Sequence, residues 1–302
     1  MKTNIQVGNT PILELTQLEK AFKLKSKVFV KLESANPAGS VKDRIAYYML
    51  MDAFDKKLIN QDSTIIEATS GNTGIGLSYI GTSLGLKVKI VMPEHMSKER
   101  IALMEHYGAE VILTPKAFGM KGAIAKAKEL LQTIPNSFMP DQFNNSANVL
   151  AHYQTTGPEL TKQLDSIDYV IAGIGTGGTI TGIAKYFKSI NSATKMIGVE
   201  PAESAVLNGM PSGPHGIQGI GAGFIPPLLD QSLLDEIRMV ATTDALSLVT
   251  KVYQLCGIKV GISSAAAIYQ AIEIAKTVEG KIVVAFCPDG GDRYESMGLY
   301  QK

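Results

Sequence analysis

The sequence predicts an α/β fold of two three-layer lobes with largely parallel sheets. Short apolar, β-branched runs alternate with longer stretches that repeat apolar residues at helical spacing and carry charge on the other face. Two of the strand-to-helix junctions share a Gly/Thr-rich loop. The length of 302 residues is also more than one hydrophobic core commonly supports. Strands and helices that alternate in this way pack as parallel sheets covered by helices.

In chain order, residues 1–19 carry charges and a Gly-Asn-Thr-Pro turn rather than the unbroken apolar run of a secretory leader, so a cytoplasmic protein is expected. "KVFVKLE" (27–33) reads as the first strand. In "NPAGSVKDR" (36–44), Ser40 followed three residues later by Asp43 predicts a capping-box-like helix start with Val41 and Lys42 in the first turn. "STIIEAT" (63–69) is a strand that runs into the first junction, "EATSGNTGIGLSYIGTSLG" (67–85). The strands "KVKIVMPE" (87–94) and "EVILTP" (110–115) are followed by the helical patterns "SKERIALMEHYG" and "KGAIAKAKELLQT". "DYVIAGI" (168–174) enters the second junction, "AGIGTGGTITGIAKYFK" (172–188), and "KMIGVEP" (195–201) and "KIVVAFC" (281–287) complete the strands. The Gly/Pro-rich stretch 209–227 is the longest irregular piece, and loops of that length in compact domains are commonly functional.

Composition removes several classes of function. Apolar residues make up 45% of the chain and charged residues 19%, with a formal net charge of +1, which gives no electrostatic reason to expect nucleic acid or an anionic membrane as partner. No stretch approaches the apolar length of a membrane span. Cys256 and Cys287 form neither a disulfide framework nor a metal-ligand spacing and read as small packed residues. Cys287 stands out because it ends a strand just before Pro288, where α/β proteins place their sites. The four histidines, His95, His106, His152 and His215, show no metal spacing, and no Gly-x-Ser-x-Gly elbow is present. A metal site and a Ser-His-Asp hydrolase are therefore not expected.

Three motifs carry chemistry. "GTGGT", residues Gly175, Thr176, Gly177, Gly178 and Thr179, follows a strand and opens a helix, where successive amides, threonine hydroxyls and the helix dipole suit a phosphate. It matches neither the P-loop nor the dinucleotide fingerprint, and read alone it also fits a tight turn of small residues. "TSGNTG" (69–74) offers a second nest of amides and hydroxyls with the side chain of Asn72; it suits a carboxylate or serves as a polar helix cap. Lys42 is a cation at a helix N-terminus, which the dipole disfavours by roughly 0.3–1 kcal/mol when exposed. Shielded from water as well, its ammonium form would be disfavoured twice, and a neutral amine is a nucleophile. An activated lysine, a phosphate cradle and a carboxylate nest on one chain describe a pyridoxal phosphate enzyme acting on an amino acid.

With these residues in place, the sequence closely resembles the cysteine synthase (O-acetylserine sulfhydrylase) family of the tryptophan-synthase-β-like fold, fold type II among pyridoxal phosphate enzymes. The resemblance runs through "GNTPILEL", "NPAGSVKDRIA", "EATSGNTGIGL", "DQFNNSANVLAHYQTTGPEL", "GIGTGGTITG", "GPHGIQGIGAGFIP", "GISSAAA" and "PDGGDRY", nearly the whole chain. It implies pyridoxal 5'-phosphate as cofactor, bonded to Lys42, with Asn72 on the phenolic oxygen, Gly175, Thr176, Gly177, Gly178 and Thr179 on the phosphate, and Ser263 facing the pyridine nitrogen. It further implies that Thr69, Ser70, Gly71, Thr73 and Gln142 hold the substrate carboxylate and that Gly221 lines the substrate side. The implied reaction is β-replacement, O-acetyl-L-serine and sulfide giving L-cysteine and acetate. A hydroxyl rather than a carboxylate at the pyridine nitrogen makes the ring a weaker electron sink and favours β-elimination.

The resemblance also implies a smaller mobile lobe of residues 36–145, a larger phosphate-binding lobe of 1–35 and 146–302, a homodimer, and capture of the C-terminal tail of serine acetyltransferase as a possible partnership. Two motifs depart from the usual pattern: Ala265 replaces a glycine after the serine pair, and in "PDGGDRY" Gly290 replaces a serine, which is expected to loosen the wall near Cys287, with Asp292 in place of glutamate. Cystathionine β-synthase and cysteine-consuming, hydrogen-sulfide-producing enzymes are the neighbouring activities. A noncatalytic binding module that retains the fold is the alternative of another kind, and Lys42, which binding would not require, stands against it.

Overall fold

The computed structural model describes residues 5–301. Its contacts divide the chain into two compact units. One is Asn36–Asn148 with the described residues up to Val7; the other is Gly8–Ala35 with Val149 onward.

The chain starts in the second unit with β1 (Ile12–Glu14), α1 (Thr16–Phe22) and β2 (Lys27–Leu32). The first unit follows: α2 (Lys42–Asp55), β3 (Thr64–Ala68), α3 (Asn72–Ser83), β4 (Lys87–Pro93), α4 (Lys98–His106), β5 (Glu110–Thr114), α5 (Gly119–Thr133) and β6 (Ser137–Phe138). The second unit resumes within α6 (Ala147–Ala151) and continues through a single π turn at His152–Thr156, α7 (Gly157–Gln163), β7 (Tyr169–Gly173), α8 (Gly178–Ser189), β8 (Lys195–Pro201), β9 (Glu236–Val240), α9 (Thr242–Cys256), α10 (Ile262–Thr277) and β10 (Ile282–Cys287).

The first unit holds a four-stranded, all-parallel sheet in the order β5-β4-β3-β6. Strands β3 and β4 are apolar and buried along most of their length because helices cover the sheet, with Ile65, Ile75, Ile80, Val88 and Ile90 in its largest apolar cluster. The second unit holds a six-stranded sheet, β1-β2-β10-β7-β8-β9, parallel except for the β1–β2 pair. Its core gathers around α10, whose residues Ala265, Ala266, Ala267, Ile268 and Ala271 are fully buried. All seven strands expected from the sequence form.

Both sheets reverse their winding beside a glycine-rich loop. In the first unit β3 leads through α3 to β4 on one side, while the chain later returns to β6 on the other. In the second, β7 leads through α8 to β8, while β10 arrives on its other side. Crevices at the carboxyl ends of such strands are where open α/β sheets bind ligands. TSGNTG follows β3 and GTGGT follows β7.

Candidate active site

In the first unit Lys42 is the first residue of α2 and is half-buried. The helix start differs in detail from a capping box. Ser40 Oγ accepts the Lys42 amide at 3.2 Å, while the Asp43 carboxylate reaches past Ser40 to accept the Ala38 amide at 2.6 Å. Asp43 and Arg44 are fully buried, so this turn is fixed from both ends. A Cβ added at Gly76 would lie 3.0 Å from the Lys42 carbonyl carbon and oxygen, so glycine there permits α3 to touch the first turn of α2. Gly76 is one turn after Asn72, which opens α3 and is also half-buried. Lys42 and Asn72 are thus carried on helix N-termini that pack together.

The loop from β3 into α3 is ordered by its own polar groups. Thr69 donates its amide to Val91 O at 3.1 Å, Thr69 Oγ1 accepts the Gly71 amide at 3.3 Å, and Ser70 O accepts from Arg100 Nη1 at 3.3 Å. Thr73 Oγ1 donates to Gln142 Oε1 at 2.6 Å. Gln142 is itself held through its main chain, because Asn148 Nδ2 donates to Gln142 O at 2.8 Å. Thr69, Ser70, Gly71, Thr73 and Gln142 therefore lie together in the first unit. Open space lies in front of Gly71, where an added Cβ would meet nothing within 4 Å.

In the second unit three segments meet. A Cβ at Gly175 would stand 2.5 Å from Gly219 O, so the first glycine of GTGGT lies directly against the 209–227 loop. Gly221 donates its amide to Ile174 O at 3.0 Å and accepts from His215 Nε2 at 3.0 Å, which places the proton of that imidazole on Nε2. A Cβ at Gly219 would lie 3.7 Å from Ser263 Oγ. Ser263 is 2% exposed, in the first turn of α10, a helix start tied down by the Gly261 amide and Ser264 hydroxyl donating to Asp289 O. GTGGT, the Gly221 loop and Ser263 thus form one cluster.

GTGGT ends as the N-terminus of α8, a 12-residue helix, with Gly177 at φ +81° as the turning residue. Thr179 Oγ1 is hydrogen-bonded to His152 Nε2 at 3.1 Å, and His152 Nδ1 to Thr156 Oγ1 at 2.8 Å. His152 is fully buried on the π turn, a geometry frequent at functional sites. Its role as the partner of Thr179 was invisible in the sequence, as were those of Arg100 and of Glu67, which accepts the Asp141 amide at 2.9 Å.

The other singled-out residues are structural. Cys287 is buried and desolvation pushes its thiol pKa up, so it is no thiolate nucleophile. Burial raises the Cys256 thiol as well. Ala265 points into the α10 core. Gly290 opens no extra space: a Cβ there would meet Ser34 Cβ at 3.0 Å, so Ser34 fills the wall that was expected to loosen. Among the described residues no group of His, Cys, Asp and Glu could hold a metal ion, and no helix is long and apolar enough to cross a membrane.

Each unit by itself carries groups that fit part of pyridoxal phosphate. In the second, amides and hydroxyls at the N-terminus of α8 suit a dianion and the buried neutral hydroxyl of Ser263 suits a pyridine nitrogen; in the first, Lys42 carries an amine of the kind that bonds the cofactor's aldehyde. The sequence pattern of the pyridoxal-phosphate dependent enzyme family matches residues 4–289. The chain belongs to this family. Within it, the chain is 51% identical over 240 residues to the cysteine synthase of a Flavobacterium species, covering 79% of this chain and 77% of that one. It is 44% identical to cysteine synthase B of Campylobacter jejuni, over 99% and 98% of the two chains. Among solved structures, the cysteine synthase of Entamoeba histolytica superposes with a TM-score of 0.95 at 40% identity, over 99% of this chain and 91% of that one. A hydrogen sulfide-producing enzyme from Fusobacterium nucleatum gives 0.92 at 41% identity (97% and 98% covered). An O-acetylserine dependent cystathionine beta-synthase from Helicobacter pylori gives 0.91 at 40% (100% and 99%).

Proposed function

We propose that the protein is an O-acetylserine sulfhydrylase, replacing the acetate of O-acetyl-L-serine by sulfide to give L-cysteine. The observation that carries this reading is the pairing of Lys42 with a carboxylate nest on packed helix N-termini: α2 carries the amine, and α3 opens from the Thr69–Thr73 loop that Gln142 closes. The identities of 44–51% to cysteine synthases support the substrate pair.

Each residue has a role in this reading. The lobe of residues 36–145 supplies Lys42, Asn72 and the carboxylate site formed by Thr69, Ser70, Gly71, Thr73 and Gln142. Residues 1–35 and 146–302 supply the phosphate cradle at Gly175, Thr176, Gly177, Gly178 and Thr179, with Ser263 for the pyridine nitrogen and Gly221 on the substrate side. Pyridoxal phosphate, when bound, supplies the electron sink that allows the Cα–H bond of the substrate to break. Lys42 Nζ removes that proton as general base. The Cβ–O bond breaks with its electron pair leaving on acetate, sulfide forms the new Cβ–S bond, and Lys42 Nζ returns a proton to Cα. Ser263, which cannot hold a positive charge on the pyridine nitrogen as a carboxylate would, directs the chemistry to β-elimination. A cytoplasmic homodimer, with a serine acetyltransferase tail as partner at the carboxylate site, completes the proposal on the family likeness.

The test is cysteine formation by the purified, pyridoxal phosphate-loaded protein from O-acetyl-L-serine and sulfide. No cysteine under these conditions would sink the reading. The likeness to the Fusobacterium and Helicobacter enzymes favours one second reading, in which another thiol is the nucleophile or cysteine is the source of sulfide. Faster turnover with homocysteine than with sulfide, or faster release of sulfide from cysteine than its incorporation, would establish it instead.

A further inference from the structure

Glu67 sits at the end of β3, 6% exposed, two residues before the carboxylate-binding loop. Strand β6 stops at Phe138, so the sheet offers no ladder partner to the amide of Asp141, and Glu67 Oε2 accepts that amide at 2.9 Å. Asp141 holds a left-handed backbone, φ +50°, a conformation that aspartate adopts more readily than most non-glycine residues. Its carbonyl accepts the amides of Asn144 and Asn145 at 3.1 and 3.0 Å. The next residue is Gln142, whose side chain accepts the Thr73 hydroxyl.

We propose that Glu67 is a positioning residue for the substrate carboxylate, acting through the Asp141 turn to hold Gln142 against Thr73, and that it does so as a neutral acid. The inference rests on the carboxylate role proposed for Thr73 and Gln142. Neutrality follows from the surroundings. Its neighbour across the sheet is Ile90, and the Asp141 carboxylate is the charged group that acts on it. Desolvation, opposed by the Asp141 amide and assisted by the Asp141 charge, pushes its pKa up to about 8. A buried carboxylate at this point would put a negative charge two residues from a site built for an anion. A protonated one accepts the amide without repelling the substrate. The affinity for an amino acid substrate is therefore coupled to the proton on Glu67: binding favours protonation, and ionisation above about pH 8 weakens binding.

The experiment compares KM and kcat for O-acetyl-L-serine between pH 6.5 and 9.5 in the pyridoxal phosphate-loaded native enzyme, Glu67→Gln and Glu67→Ala. The alanine variant loses the acceptor for Asp141 and should raise KM roughly 5–30-fold at pH 7, the weight of one buried hydrogen bond, with kcat changed far less. Glutamine, which keeps the acceptor and cannot ionise, should recover that KM. Its KM should also lack the rise of up to about tenfold per pH unit that the native enzyme adds above pH 8. Identical alkaline KM profiles in native and Gln enzymes would overturn the proposal, as would a KM for Ala equal to the native one. Should the alanine variant fail to fold, the native–Gln comparison decides alone. Should native enzyme not turn over O-acetyl-L-serine, the proposed activity fails separately. Glu67 is then judged by infrared difference spectroscopy at pH 7: a protonated-carboxyl band present in native protein and lost in Glu67→Gln upholds the neutral acid, and its absence from native protein refutes it.

Discussion

The Thr73 hydroxyl donates to the Gln142 side-chain oxygen at 2.6 Å, joining the first turn of α3 to the segment that follows β6. The bond links residues 69 positions apart and turns a helix N-terminus into a site with two walls. Removing either partner leaves the other without its mate at the place proposed for the substrate carboxylate. We expect Thr73→Ala and Gln142→Ala each to raise KM for O-acetyl-L-serine by roughly 5–30-fold. The double variant should cost less than the sum of the singles by about 1 kcal/mol, because the two side chains act as a unit. Additive effects in that double-mutant cycle would mean that the Thr73–Gln142 bond has no part in binding.

Two glycines separate folding from binding. Gly177 has φ +81°, and a Cβ there would stand 2.7–2.8 Å from Leu229, including its main chain. Left-handed strain and overpacking then add, so Gly177→Ala should lose about 2–5 kcal/mol of stability by denaturant unfolding. Gly71, at φ −114° with nothing within 4 Å of an added Cβ, should accept alanine within about 0.5 kcal/mol. A raised KM in stable Gly71→Ala protein would then report directly on the space in front of the loop. A stable, fully active Gly177→Ala enzyme would contradict the packing described for GTGGT against Leu229.

Much of this arrangement was legible in the sequence because its signals are local. The seven long apolar runs became strands, and the glycine-rich loops fell at strand ends, where a turn must precede a helix. Strands β1, β6 and β9 were not read. The first two have three and two residues, too short for any period, and β9, "EIRMV", places charged Glu236 and Arg238 at the edge of its sheet. Glu67, Asp141 and His152 escaped for another reason. Their partners lie 74 residues away in one case and 27 in the other, so nothing in the neighbouring sequence marks a buried acid or imidazole as part of a site. The Ser40–Asp43 pair shows the limit of a local rule, since Asp43 caps the turn at Ala38 rather than its own helix.

Lys42 distinguishes a catalyst from a binding module. The contact at Gly76 is made by the Lys42 main chain, so trimming the side chain leaves the α2–α3 packing intact. Lys42→Ala should therefore fold like the native protein while cysteine formation falls by on the order of 10³-fold, the usual weight of a general base together with a covalent attachment point. Retention of turnover within tenfold would remove Lys42 from the mechanism, with far-ultraviolet circular dichroism serving as the check on folding.

Ala265 occupies a position where the family pattern has glycine, and its methyl is fully buried in the core around α10. Glycine would forfeit helix propensity of about 1 kcal/mol and a buried methyl worth about as much again. Thermal unfolding of Ala265→Gly should show that loss with kcat unchanged. A large gain in turnover would instead mean that the methyl obstructs Ser263.

The proton on Glu67 also sets how stability depends on pH. Its folded-state pKa of about 8 lies above the ordinary glutamate value of 4.5, so between these limits the native protein holds a proton that the unfolded chain has lost. Stability must then fall as pH rises through this window, by at most about 1.4 kcal/mol per unit from this one group, and level off above pH 8 once the folded state ionises as well. Glu67→Gln has no such proton to retain. Urea unfolding between pH 5 and 8 should therefore show a native stability that declines relative to the glutamine variant, with the gap widening towards pH 8. The same slope in both proteins would mean that Glu67 is ionised in the fold and that the Asp141 amide is held by a carboxylate.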